Sequence, residues 1–478
     1  MAFNSFHFWL VFPFLFGFYW LIPSKYNLWR KVFLVLASYF LYMNWKPAFA
    51  IVLFGVTLIT YWGGQVLECK DESEKKTSKR KILVCFFALL GFLPLLVFKY
   101  YNFINDSLSA GLAAIDLKFA LPGLNWAVPV GISFFTFQAV GYMLDVYHGR
   151  IKAEKNLLDY VLFVSFFPQV TSGPISTAEE LMPQIKTTHK FVYEQGKQGL
   201  KWLLWGMFIK LVVADRLGMF VDTVYGNYVH FNGTACFAAS IFYTIQIYAD
   251  FAGYSLMAIG IAATLGFNLI NNFKRPYFAV SISDFWKRWH ISLTRWLTRQ
   301  VYISLGGNRC SKARNYFNIL VTFLVSGIWH GANWTFIFWG TMHGVLQVIE
   351  KALGWQNYKG KNEVVKATRI LVTFLLVNFA WVFFRMPSIR DAFAVIGKMF
   401  TNPGVFDIRD GFGSAAGVIM AIIGLSILMF KDIREEFFPE RMKWLNTPVV
   451  RWASYVILFC LVISFGVLDS SQFIYVNF

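Results

Sequence analysis

Two histidines set in apolar, aromatic sequence are the residues best suited to chemistry. His330 lies in Leu324-Val-Ser-Gly-Ile-Trp-His-Gly-Ala-Asn-Trp334, and His290 in Phe285-Trp-Lys-Arg-Trp-His-Ile-Ser292. An imidazole at membrane depth is costly to place and marks function by default. It titrates near neutral pH and can take or give a proton. The pair predicts proton transfer within a membrane. The alternative for each is a structural hydrogen bond to a neighbouring helix.

The surrounding charges narrow the chemistry. Residues 285–349 contain no Asp or Glu, but they contain Lys287, Arg288, Arg295, Arg299, Arg309, Lys312 and Arg314. One reading is an amphipathic segment on anionic lipid. The other is a phosphate-binding mouth for an anionic donor such as coenzyme A or a phosphopantetheine arm, with Lys287, Arg288 and Arg309 as its cations. The Leu305-Gly-Gly-Asn-Arg309 turn is expected to bring backbone N–H groups to that donor. A carboxylate partner for either histidine must come from elsewhere, for example Asp284 or Asp250. No G-x-S-x-G elbow occurs, so direct transfer fits better than a hydrolase triad: His330 deprotonates an acceptor hydroxyl that attacks a thioester.

Supporting residues are read from spacing. Tyr243, Gln246 and Asp250 share one helix face, and an intramembrane Asp is a functional candidate or a structural polar contact. His343 follows His330 by 13 residues, about 220° around a straight helix, so it is assigned a structural or tunnel-lining role. Trp329 and Asn333 flank His330 as further tunnel or supporting residues. His7, His148, His189 and His230 sit near loops or apolar-run edges and carry no chemical expectation. No metal site is suggested, and the five scattered cysteines indicate no disulfide framework.

The elements that hold these residues are membrane helices. The chain is 57% hydrophobic and 15% charged, where soluble domains are about 45–50% apolar and about 25% charged. Apolar runs recur throughout, predicting an all-α polytopic integral membrane protein with one domain over 1–478. Early spans are expected at Phe8–Ile22, Val32–Trp45, Phe49–Leu67, Ile82–Tyr100 and Val128–Tyr147. Later ones are expected at 203–222, 236–266, 316–330, 334–353, 368–385, 415–431 and 452–468. The interrupted stretch 157–200 reads as re-entrant or interfacial.

The net charge of +18 comes from loops between spans, so it calls for lipid headgroups rather than nucleic acid. Basic loops at Lys25, Arg30 and Lys31, at 70–81, and at Arg150, Lys152 and Lys155 are each separated by two spans. All three therefore fall on one side, the cytoplasmic one, with the N-terminus outside. The N-terminus has no basic n-region, and Phe8–Leu21 reads as a retained membrane segment rather than a signal peptide.

Several stretches together resemble the membrane-bound O-acyltransferase family, in its bacterial branch serving alginate O-acetylation and teichoic acid D-alanylation. They are Phe166-Phe-Pro-Gln-Val-Thr-Ser-Gly-Pro-Ile175, Ala249-Asp-Phe-Ala-Gly-Tyr-Ser255, Asn272-Phe-Lys-Arg-Pro-Tyr277, Ser283-Asp-Phe-Trp-Lys-Arg-Trp-His-Ile-Ser-Leu293, Leu305-Gly-Gly-Asn-Arg309, Ser326-Gly-Ile-Trp-His-Gly-Ala332, Trp339-Gly-Thr-Met-His-Gly344 and the closing Phe473-Ile-Tyr-Val-Asn-Phe478. Arg299-Gln300, Ser304 and Leu256 depart from the branch pattern.

The resemblance implies roughly 10–13 transmembrane or re-entrant helices around a central tunnel, with the core motifs in 272–344. It implies that His330 matches the family's essential histidine and His290 its second marked one. It further implies an inner-membrane O-acetyltransferase with no bound cofactor. The donor would be acetyl-CoA or another acyl thioester, delivered by coenzyme A or an acyl carrier protein. The acceptor would be an exported polysaccharide, reached with a periplasmic acyltransferase partner. D-alanyl transfer to teichoic acid and transport of a small anionic or lipid-linked solute are the alternatives.

Overall fold

A backbone in lipid must satisfy its own N–H and C=O groups, and a helix does so within one segment. The computed structural model describes residues 3, 5–69, 78–117, 121–358, 360, 362–440 and 447–467, and no strand occurs among them. Lys70, Lys75, Lys76 and the closing Phe473–Phe478 motif lie outside the described residues. Among the described residues, six helices are long and apolar enough to cross a membrane: Ala48–Leu67, Ser78–Ala113, Gly233–Thr264, Glu363–Arg385, Ala415–Phe437 and Pro448–Phe465. The segments Phe6–Leu21 and Ser24–Met43 pass the same test only together, and they are bent by 102°. The chain is an all-helical, polytopic integral membrane protein.

The chain forms two compact units. The first comprises residues 7–199 with 261–270. It holds α1 (Phe6–Leu21), α2 (Asn27–Met43), α3 (Ala48–Leu67), α4 (Ser78–Leu95), α5 (Tyr101–Ala113), α6 (Ile132–Tyr147), α7 (Leu157–Ser165) and α8 (Ala178–Lys186). The span expected to stop at Tyr100 instead continues through π-helical turns into α5. Polar residues do not end it there. The side chains of Asn102 and Asn105 bond the backbone of Leu124 and Leu121.

The three basic loops meet through these contacts. Lys31 pairs with Asp159 at 2.7 Å, Arg80 bonds the carbonyls of Leu67 and Tyr147, and Lys155 pairs with Glu68 at 2.5 Å. The interrupted stretch is buried in protein. After α7, residues 166–176 are all buried. Gln169 there donates to Phe163 O and accepts from Ser176 Oγ, which satisfies irregular backbone away from lipid. Glu180 Oε2 then reaches back to accept from Thr177 N at 3.2 Å at the start of α8.

The second unit comprises residues 200–260 and 271–478 with the first few residues of the chain. It contains the end of α9 (Tyr193–Met207), α10 (Asp215–Gly226), most of α11 (Gly233–Thr264), α12 (Ile282–Arg288), α13 (Ile291–Leu297), α14 (Lys312–His330), α15 (Trp334–Ala352) and α16 (Glu363–Arg385). The last helices are α17 (Ile389–Thr401), α18 (Ile408–Phe412), α19 (Ala415–Phe437) and α20 (Pro448–Phe465). π-helical turns at Phe208–Ala214 join α9 to α10.

At the centre of the site lies the α14–α15 hairpin. A Cβ on Gly327 would stand 2.4 Å from Phe336 O, and one on Gly340 would stand 2.4 Å from Phe323 O. Only glycine lets the two helices touch this closely. Both helices are 19 residues long but fall outside the six apolar spans. The first turns of α14 carry Lys312, Arg314 and Asn315, and the last turn of α15 carries Glu350 and Lys351.

Candidate active site

His330 ends α14, and Gly331 then takes an extended backbone. Asn333 caps α15 by accepting from Thr335 N at 3.0 Å, and its Nδ2 donates to Pro387 O at 3.0 Å. Asn333 therefore serves the turn that presents His330. The His330 side chain is 1% exposed. Its ring is boxed by Trp329, Trp339 and Phe384, with centroids at 4.8, 4.9 and 5.2 Å.

His290 reaches the same place from another element. It is fully buried and sits between α12 and α13 with φ 43° and ψ 55°, a left-handed conformation that costs a non-glycine residue energy. The Asn272–Arg275 stretch clamps this turn. Asn272 O accepts from Ile291 N at 3.0 Å, Asn272 Oδ1 accepts from Ser292 N at 3.1 Å, and Arg288 O accepts from Lys274 N at 2.9 Å. Strain held by surrounding structure is typical of functional positions. The His290 ring packs on Phe251 at 4.7 Å and on Trp329 at 5.5 Å, and it lies 6.4 Å from the His330 ring. Burial pushes the His290 imidazole down to about 3, so it is neutral at physiological pH.

His343 comes closer to His330 than a straight helix allows. The break at Gly331–Asn333 puts the two histidines on separate helices, so the angle expected from sequence does not apply. Trp339 touches both rings, at 4.9 Å from His330 and 5.0 Å from His343. His343 Nδ1 accepts from Trp286 Nε1 at 3.3 Å.

The acids offered by sequence as histidine partners are engaged with cations. Asp250 pairs with Lys210 at 2.6 Å, and Lys210 also pairs with Asp215 at 2.5 Å, all three buried. Lys210 was missed, although a lone cation in an apolar run is a legible signal. Asp284 pairs with Arg288 at 3.1 Å. Gln246 and Tyr243 are buried on α11 in the same unit.

The three donor-cation candidates part company. Arg288 lies between Asp284 and Glu436, and Glu436 also takes Arg275 at 2.7 Å. Those acids hold the Arg288 guanidinium above its ordinary value. Arg309 is exposed on the glycine turn. The N–H groups of that turn close on itself: Gly306 N, Gly307 N and Arg309 N donate to Ile303, Tyr302 and Gly306 carbonyls. Gly307 O in turn accepts from Asn315 and Asn318. The expected presentation of backbone N–H groups to a phosphate is therefore corrected: with φ of 109° and 57°, Gly306 and Gly307 fold the turn inward. Of the three, Lys287 lines the cavity of about 310 Å³ walled by α12, α13, α14 and α15. Trp286 shares that wall and packs on Trp339 at 5.7 Å, linking the cavity to the histidines.

Known proteins carry the same sequence pattern. The membrane-bound O-acyltransferase family matches residues 150–387. A protein described as probable alginate O-acetylase AlgI from Pseudomonas syringae pv. tomato is 37% identical over 451 residues, covering 93% of this chain and 84% of that protein. The peptidoglycan O-acetyltransferase of Helicobacter pylori is 34% identical over 409 residues, covering 80% and 76%. A teichoic acid D-alanyltransferase from Streptococcus thermophilus is 28% identical over 283 residues, covering 53% and 68%. With its relatives matched over most of their length, this chain belongs to the membrane-bound O-acyltransferase family and is an acyltransferase.

Proposed function

We propose that the chain moves an acetyl group from a cytoplasmic thioester toward an exported cell-surface polysaccharide, with His330 as general base and His290 as its positioning neighbour. The observation that carries this reading is the convergence of His290 and His330, with ring centroids 6.4 Å apart in a buried aromatic shell. The two O-acetyltransferase relatives cover more of the chain than the D-alanyltransferase does, which favours acetyl.

In this mechanism an acceptor hydroxyl gives its proton to the His330 imidazole while its oxygen attacks the thioester carbonyl carbon. The tetrahedral intermediate collapses, the C–S bond breaks, and the leaving sulfur takes the proton back from the imidazolium. One ester and one thiol result. The aromatic box excludes water, which would otherwise hydrolyse the thioester. Lys287 serves the donor directly. Arg288 acts through its ion pairs, which fix the end of α12 beside His290.

The protein is placed in the inner membrane with its basic loops cytoplasmic and its N-terminus outside, a reading supported by the meeting of those loops. Residues 1–478 act as one catalytic domain. A periplasmic acyltransferase partner completes transfer to the polymer.

The test is ester content of surface polysaccharides in a deletion strain carrying wild type, His330→Ala or His290→Ala at matched membrane levels. Loss of one ester, restored by wild type and not by His330→Ala, supports the reading. Full restoration by His330→Ala overturns the catalytic assignment and favours transport. Loss of D-alanyl in place of acetyl moves the donor to an aminoacyl carrier protein.

A further inference from the structure

The chain turns sharply where α1 meets α2. Pro23 follows the end of α1 with φ −58° and ψ 144°, an extended conformation, and it lacks the N–H that a continuing helix needs. One short 3₁₀ turn, Ser24–Tyr26, leads into α2, and the two segments are bent by 102°. Arg30 holds the bend by reaching back from the start of α2. Its Nε donates to Ile22 O at 2.8 Å and its Nη1 to His189 O at 2.6 Å. Its guanidinium lies 5.2 Å from the ring centroids of both Tyr19 and Trp20. Arg30 is buried, so the angle is built into the packing of this unit.

The elbow encloses a groove of about 560 Å³, the size of an ordinary ligand pocket. Phe18, Leu21, Tyr26, Trp29, Val32 and Leu36 line it. Phe18, Leu21, Trp29 and Leu36 are exposed, while Phe12, Tyr19, Leu34 and Leu41 of the same two helices are buried. The groove therefore opens away from the protein core, onto lipid. Its charge is one-sided. Residues 1–67 contain no Asp or Glu, but they contain Lys25, Arg30, Lys31 and Lys46. Arg30 is committed to the bend and Lys31 to Asp159. Lys25 is exposed in the turn itself, with its ammonium 4.9 Å from the Tyr26 ring centroid. Tyr26 and Trp29 beside it are the residue types that settle at headgroup level.

We infer that the α1–α2 elbow binds one anionic phospholipid, with an acyl chain in the groove and the phosphate at Lys25. The elbow lies in the first compact unit and the two histidines in the second, so the inference does not rest on the acyl-transfer reading. Shape selects the occupant. A helix about 10 Å across fills 560 Å³ within about 7 Å of its length, too little to seat a partner span. A straight helix also cannot follow a bend of 102°, whereas an acyl chain can. Charge then selects the headgroup, because a lysine at the surface attracts an anionic lipid and no acid in this stretch opposes it.

The experiment titrates delipidated protein in detergent with phosphatidylglycerol and with phosphatidylcholine of the same chains, and counts bound lipid by native mass spectrometry. Wild type is expected to hold one phosphatidylglycerol about fivefold more tightly than phosphatidylcholine, the worth of one lysine at an anionic lipid surface. Lys25→Gln should bind the two alike, and Lys25→Arg should keep the preference. Val32→Trp fills the groove and should lose both. A second measurement needs no groove-filling variant. The Trp29 signal, taken as wild type minus Trp29→Phe, is followed in nanodiscs as dibrominated phosphatidylglycerol, a fluorescence quencher, replaces phosphatidylcholine. Quenching is expected to saturate while the brominated lipid is still a minor component.

Trp29 quenching that rises in proportion to bulk content, and equally for dibrominated phosphatidylcholine, marks ordinary lipid contact and overturns the inference. So does a preference for phosphatidylglycerol that Lys25→Gln leaves unchanged. A dimer in the same spectra that excludes both lipids, and that Val32→Trp dissociates, gives the groove to a second copy of the chain and overturns the lipid assignment.

Discussion

The His330 imidazole lies edge-on to the Trp339 indole, with centroids 4.9 Å apart and planes at 88°. The same indole touches His343 and stacks on Trp381 at 5.4 Å. The position of the proposed base thus depends on a ring from the neighbouring helix.

Removing the imidazole is expected to remove the chemistry. His330→Ala should lower kcat by about 10²–10⁴, the usual contribution of general-base catalysis. Trp339→Leu should lower kcat less while keeping KM, because it loosens the base without removing it. Steady-state kinetics with an acetyl thioester would check both, and a Trp339→Leu effect confined to KM would argue against a positioning role.

At His290 the backbone and the side chain can be separated. Asn tolerates the left-handed region and β-branched residues do not. His290→Asn should melt near wild type, whereas His290→Val should lose about 1–2 kcal/mol or more. Thermal unfolding in detergent distinguishes them, and equal melting of the two variants would remove the strain argument.

His290 also makes stability depend on pH. Its folded value is down to about 3, from 6.5 when unfolded. The unfolded state therefore takes the proton first, so the contribution is complete above about pH 6.5 and is lost as pH falls toward 3. Wild type should lose melting temperature between pH 7 and 4 more steeply than His290→Asn. Parallel slopes would contradict the assignment.

The buried Lys210 triad gives an asymmetric prediction. Lys210→Met leaves Asp215 and Asp250 without their shared cation and should cost about 3–5 kcal/mol. Adding Asp215→Asn and Asp250→Asn to Lys210→Met should recover much of that loss. Chemical denaturation of the single and triple variants is the check, and a triple variant no better than the single one would show that packing rather than charge is at stake.

Contact between α14 and α15 is equally specific. Gly340→Ala places a Cβ where Phe323 O stands 2.4 Å away, and overpacking of this kind costs about 1–3 kcal/mol. Activity should fall with stability, since the hairpin carries His330. A Gly340→Ala protein with wild-type melting and activity would mean that the helices can separate freely.

What the sequence alone determined was local. Apolar composition and run length dictate helices in lipid, because no other open element satisfies its own backbone there. His330 and His290 stand out as polar residues within aromatic runs, and Lys287 as a cation beside them. The tertiary structure decided everything that joins distant elements. Arg288 reads as a donor cation in sequence, but Glu436, 148 positions away, pairs with it. The glycine turn at 306–307 read as an anion cradle until its own bonds closed it inward. Asp250 reads as a candidate histidine partner in sequence, but it pairs with Lys210. Periodicity reports which face of one helix is apolar. It carries no information about which charge on another helix will meet that face, because ion pairs and ring contacts act through space over a few ångströms and not along the chain.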